Sequence, residues 1–153
     1  MNPDHLLDQA DRLTQPSAAG APRQADLRRA ISSAYYALFH YILKSAADMS
    51  VGAAMRKTNP DLYGRAYRSL EHADVVTRSK EARAIGANIK AFADAVVDLQ
   101  KTRVGADYDP TFRITRSDAT TKVSTVRAAI ARFEAATEAE RKAYLATILF
   151  KKR

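Results

Sequence analysis

The chain has 153 residues with 25 Lys and Arg against 17 Asp and Glu, a formal net charge of +8, and no cysteine. That length fits one domain able to bury a core without metal or disulfide support, and the missing thiols exclude disulfides, zinc–cysteine sites and thiol nucleophiles. The positive field attracts polyphosphates over about a Debye length, although no Arg/Gly/aromatic repeat or zinc-finger spacing supplies a named nucleic-acid motif.

Met1-Asn2-Pro3-Asp4-His5 lacks a basic region followed by an apolar core. No apolar run approaches the roughly 18 residues of a membrane span, so a soluble, cytoplasmic protein without a membrane partner is expected. Asn2 before Pro3 reads as a cap followed by proline at the first helical position, opening a short helix through Leu6, Leu7 and Leu13. Gln15 to Pro22 breaks it as a linker. A long helix follows from about Arg23 to Met49, and Ser50 to Asn59 reads as a loop. Asn59-Pro60 repeats the cap signal for a helix from Pro60 to about Ser79. Ile85, Ile89, Phe92, Val96 and Leu99 then recur in alternating steps of four and three, the stripe of a helix facing a core. That helix is expected to end near Gly105, before a rigid polar turn, Ala106-Asp107-Tyr108-Asp109-Pro110. Ser117 is read as the cap of a helix carrying Ala119, Val123, Val126, Ile130 and Phe133. Thr137 with Glu140 forms a capping box for a last helix through Tyr144, Leu145, Ile148, Leu149 and Phe150. The tail Lys151-Lys152-Arg153 is read as a solvated end. Strand patterns and internal repeats are lacking, so the expected fold is one all-α domain over 1–153. Its architecture would be a four-helix up-down bundle with short extra helices at both ends.

The segment Arg28 to His40 carries two faces. At about 100° per residue, Ile31, Ala34, Leu38 and Ile42 fall on a core side, whereas Arg29, Ser33, Tyr36 and His40 line up opposite. Ala30, Ala37 and Ala47 beside that second row are small enough to admit another helix or a ligand. Donors and an aromatic hydroxyl in place of Lys and Glu suit a partner, a pocket or a second subunit. Tyr35, on the other side from Tyr36, is read as core with its hydroxyl at the margin.

Arg103, four residues after Leu99, continues the apolar stripe of its helix and needs a partner for its charge. Asp107 and Asp109 are the nearest candidates, and a salt bridge that merely pins the turn stands beside an anion-binding role. Arg65, Arg68 and His72 share a helical face within about 60°, read as a solvated or phosphate-steering surface. His40, one turn beyond Tyr36, reads as a satisfied, partly buried histidine bonded to a carboxylate or to Tyr108. No Asp/Glu/His cluster has metal-ligand spacing, no Gly-rich phosphate loop follows a strand, and no nucleophile elbow is present, so neither a metal nor another cofactor is implied.

Two segments together carry a resemblance. Arg-Arg-Ala-x-Ser-x-Ala-Tyr-Tyr-Ala-Leu-Phe-His, Arg28 to His40, precedes Arg-x-x-Ala-Asp-Tyr-Asp-Pro, Arg103 to Pro110. In motif, order and separation the chain resembles the HEPN family of prokaryotic α-helical domains over about Arg23 to Phe133, with the HEPN-like core about 23–136. The resemblance implies a homodimer with a polar cleft between subunits that binds RNA or a nucleotide. It also implies membership of a toxin–antitoxin or defence system with a nucleotidyltransferase antitoxin as partner. In nuclease members an Arg is followed four to six residues later by a His. Here Arg103 is followed by Tyr108, whose unperturbed pKa near 10 makes it a poor base at neutral pH. The implied ligand-binding set is Arg103, Asp107, Tyr108, Arg29, Ser33, Tyr36 and His40, with Asp107 orienting Arg103. Any cleavage would draw on Arg103 with His40 or His72 for proton transfer. A non-catalytic helical dimerisation or protein-interaction module is the alternative.

Overall fold

The computed structural model describes residues 1–151. Among them the chain forms eight helices: α1 Pro3–Thr14, α2 Gln24–Val51, α3 Met55–Thr58, α4 Pro60–Tyr67, α5 His72–Ala82, α6 Ala87–Tyr108, α7 Arg116–Ala135 and α8 Glu138–Leu149. These residues contain no strand, only an isolated bridge between Ser17 and Gly20 in the linker. Gly20 takes a φ of 107° there, a value that L side chains rarely adopt. No described helix is long and apolar enough to cross a membrane.

Local sequence sets four of the helix starts. Asn2 accepts the Asp4 N–H at 3.0 Å ahead of Pro3, and Asn59 accepts the Leu62 N–H at 3.1 Å ahead of Pro60. Thr137 and Glu140 exchange the reciprocal bonds of a capping box. At α7 the cap is Thr115, which accepts the Asp118 N–H at 3.0 Å. Ser117, read as that cap, already lies inside the helix. Asp118 is the acceptor that decides the register, because its carboxylate also takes the Thr115 hydroxyl.

The long α2 is the centre of the molecule. Helices α1, α4, α6, α7 and α8 all pack on it, so residues on every side of it are buried, Ser32 and Ser33 among them. Ala30, Ala34, Ala37, Ala46 and Ala47 are fully enclosed, and their small side chains let the neighbouring helices come close. Phe92, Phe133 and Tyr144 form an aromatic cluster in the core, with ring centroids 4.7 to 5.5 Å apart. Burial of each such ring contributes about 1.5–3 kcal/mol. Leu27, Ile31, Ala106, Ile114 and Ala119 make a second, smaller cluster. There Gln24 holds the Ile114 backbone from both sides, donating at 2.8 Å and accepting at 3.1 Å. This clamp ties the segment after α6 to the start of α2.

Four further expectations are corrected. The helix expected from Pro60 to Ser79 is two helices, since Ser69 Oγ takes the Ala66 carbonyl at 2.8 Å and Leu70 turns into the core. Hydroxyl capping of this kind competes with the backbone ladder. The segment Ser50 to Asn59 holds one helical turn, α3, which follows the C-cap Gly52 at φ 88°. Ala106 to Tyr108 is the last turn of α6 and not a separate polar turn. Phe150, placed in the last helix with its apolar residues, is 71% exposed beyond the end of α8. Lys151 is exposed; Lys152 and Arg153 of the basic tail lie outside the described residues.

Candidate functional site

Arg103 turns inward, as its place on the stripe requires, and is only 9% exposed. Its Nη2 donates to the Tyr36 hydroxyl at 2.6 Å, and its Nε lies 2.9 Å from Asp107 Oδ2. The Nε–H points off that carboxylate, so the contact is an ion pair without a hydrogen bond. The guanidinium carbon stands 5.5, 5.2 and 5.6 Å from the ring centroids of Tyr35, Tyr36 and Tyr108. Three aromatic faces around one cation partly replace the water it has lost. Nη1 has no hydrogen-bond partner among the described residues, and it is not one of their buried unpartnered atoms. That nitrogen therefore keeps some contact with solvent.

The frame around Arg103 comes from α2. Ser32 donates to the second Asp107 oxygen, fixing the carboxylate that faces Arg103. Arg28 donates from Nε to the Ala106 carbonyl at 2.6 Å and from Nη2 to the Asp109 carbonyl at 2.9 Å. A cation on the last carbonyls of α6 also complements that helix's dipole. Asp109 plays no part in holding Arg103: its carboxylate accepts the Thr111 N–H and hydroxyl. Tyr108 is 71% exposed, which puts its ring on the outer side of Arg103.

Two imidazoles adjoin this cluster. His72, the first residue of α5, stacks on Phe39 at 3.9 Å and stands edge-on to Tyr36 at 5.8 Å. Its Nδ1 is 2.7 Å from the Tyr35 hydroxyl. It shares no helix with Arg65 and Arg68, because the chain breaks between α4 and α5. The expected common face of those three residues is not formed. His40 Nδ1 is 2.7 Å from the Tyr67 hydroxyl, neither a carboxylate nor Tyr108. Burial lowers both histidines below their usual value, with the chain's amino group and His72 adding for His40, and Arg103 for His72. Burial pushes the Tyr35 phenol strongly upward, so it is a neutral hydroxyl.

Of the residues expected to act together, Arg103, Asp107, Tyr108 and Tyr36 meet, and His40 and His72 flank Tyr36. Ser33 does not join them, since it is buried and donates to Gln9 of α1 at 3.0 Å. Arg29 is exposed and makes none of these contacts. The cation that α2 brings to the site is Arg28. Its signal was the four-residue spacing to Ser32 and again to Tyr36, one helical row.

The site runs from the buried Arg103 and Tyr35 to the exposed Tyr108. A surface cleft of about 460 Å³ beside Asn2, Lys44, Arg56, Tyr63 and Tyr67 does not include Arg103. No group of three or more His, Asp or Glu among the described residues could hold a metal ion. Compared with protein-family models, curated proteins and solved structures, the chain finds no match.

Proposed function

We propose that this chain is a HEPN-type protein that binds RNA or a nucleotide at the Arg103 edge, as a component of a toxin–antitoxin or defence system. On this reading α2, the α4–α5 pair, α6 and α7 are the four-helix up-down core, with α1 and α8 as additions. The protein acts in the cytoplasm as a homodimer whose second copy completes the cleft, and a nucleotidyltransferase is its antitoxin partner. The observation that carries the proposal is the half-engaged guanidinium: Asp107 and Tyr36 fix one side of Arg103, while Nη1 has no partner among the described residues. A preset Arg with a solvent-contacting nitrogen recognises phosphate without first ordering its own side chain. The exposed Tyr108 ring offers a surface on which a base stacks, an interaction worth about 1–3 kcal/mol in single-strand binders.

Incubating the purified protein with single-stranded RNA in the presence of chelator, alongside Arg103→Ala and His40→Ala, tests the reading. Binding by the parent and its loss in a folded Arg103→Ala variant support it, whereas equal binding by that variant refutes it. Cleavage in chelator would add metal-independent nuclease chemistry to the binding role. A nucleotidyltransferase reading frame beside the gene supports the toxin–antitoxin assignment.

The ion pair between Arg103 and Asp107 also favours a second reading, in which the cluster pins α6 to α2 in a non-catalytic dimerisation or interaction module. Under it, RNA affinity is weak, falls steeply with salt as surface charge alone dictates, and does not depend on Arg103.

A further inference from the structure

His72 lies outside both sequence segments that outline the Arg103 edge, yet the fold delivers it there. Its ring touches the same two tyrosines as Arg103: centroids stand 5.5 Å from Tyr35 and 5.8 Å from Tyr36, the rings over which the guanidinium also sits. The Tyr35 side chain is 1% exposed, and His72 Nδ1 is the one partner of its hydroxyl among the described residues. A buried hydroxyl left without an acceptor costs about 1–3 kcal/mol. The bond therefore favours Tyr35 O–H donating and Nδ1 accepting. A neutral imidazole in that state carries its proton on Nε2. Nε2 has no partner among the described residues, and it is not one of their buried unpartnered atoms. The Tyr36 hydroxyl, having accepted from Arg103, likewise keeps its own proton without an acceptor there.

We infer that His72 is a ligand-binding residue of the Arg103 edge: its Nε2–H, set by Tyr35, joins Arg103 Nη1 and the Tyr36 O–H as a third donor to a phosphate oxygen. The inference rests on the proposed RNA- or nucleotide-binding role and names a donor that the Arg-to-Tyr108 segment lacks. The groups facing this imidazole are Tyr35, Tyr36, Phe39 and His40 of α2 and Arg103 of α6. None of these is an anion; the carboxylates nearest in the chain are Glu71 at the N-cap and Asp74 in the first turn of α5. Burial and Arg103 both work against the imidazolium. A neutral donor of this kind keeps its geometry at neutral pH.

Two measurements test this. In the parent protein labelled with nitrogen-15, the His72 side chain should give a pyrrole-type Nε2 and a pyridine-type Nδ1 signal, and Nε2–H should shift on titration with a short single-stranded RNA. The opposite tautomer, or a His72 signal that ignores the ligand, overturns the inference. In His72→Phe, which keeps a ring against Phe39, RNA affinity should fall about fivefold or more, with inorganic phosphate and the RNA as separate probes. Unchanged affinity in that variant, beside a loss in Arg103→Ala, overturns the inference and leaves the RNA-binding role standing. A His72-dependent response to phosphate with no RNA binding supports the donor assignment and refutes the RNA role. No binding of either probe by the parent overturns both.

Discussion

Asp107→Ala removes the carboxylate on which the site is built, and the structure sets the size of the effect. The carboxylate accepts the Ser32 hydroxyl and neutralises Arg103, whose side chain is 11% exposed against 27% for Asp107. Exposed ion pairs contribute about 0–1 kcal/mol, whereas removing one partner of a buried pair costs about 3–5 kcal/mol. With one partner inside and the other about a quarter exposed, a loss of about 2–3 kcal/mol is expected. Two gains offset part of it: alanine is the better helix former by roughly 0.5 kcal/mol, and an acid in the last turn of α6 opposes the helix dipole by about 0.3–1 kcal/mol. The net loss should be about 1–2 kcal/mol, or roughly 2–8 °C in Tm for a chain of this length. Urea unfolding followed by circular dichroism should show a lower midpoint at constant slope. Arg103→Met combined with Asp107→Ala should cost less than the sum of the two single changes. A single loss below about 0.5 kcal/mol, or strict additivity, refutes the argument that Asp107 holds Arg103 in place.

Other outcomes follow from the core and the caps. Phe92→Ala empties the centre of the Phe92/Phe133/Tyr144 cluster and should cost about 3–5 kcal/mol, read by the same unfolding assay. Thr137→Ala breaks the capping box of α8 and should cost about 0.5–2 kcal/mol, with hydrogen exchange speeding up first in the opening turn of α8. At Gly105 an added Cβ would lie 2.8 Å from the Phe112 ring. Gly105→Ala should therefore destabilise the protein by about 1–3 kcal/mol although alanine favours the helix, and a more stable variant would contradict the packing argument. Stability should also depend on pH through His40 and His72, both held below 6.5 by burial. The unfolded chain takes up these protons first, so the contribution is complete above about pH 6.5 and is lost as pH falls through the folded values. Denaturant midpoints between pH 7.5 and 5 should fall, and fall less in His72→Gln.

Helix identity was legible where punctuation was strong. Asn-Pro pairs, the Thr137–Glu140 box and four-three apolar stripes mark α1, α4, α6, α7 and α8 in the bare sequence. The division of α4 from α5 was not legible, because Arg68 to Glu71 holds neither Pro nor Gly; a buried Leu70 and the Ser69 hydroxyl make the break, and both are tertiary or side-chain effects. Two faces could be drawn on α2, but five helices pack on it and bury residues of both, so Ser33 bonds to Gln9 of α1 and the site's cation is Arg28 instead of Arg29. For the site, the inward turn of Arg103 and its pairing with Asp107 followed from helical spacing. The approach of His72 did not, since it depends on where a separate helix begins, and its spacing to Arg65 suggested a different surface.

The central claim is that Arg103 Nη1 binds phosphate, and fluorescence anisotropy with a labelled single-stranded RNA across a salt series tests it most directly. The account predicts that folded Arg103→Ala loses affinity about tenfold or more at every salt concentration and that its log–log salt slope falls by about one. Superimposable curves for the parent and that variant would contradict it, leaving Arg103 as a structural pin between α2 and α6.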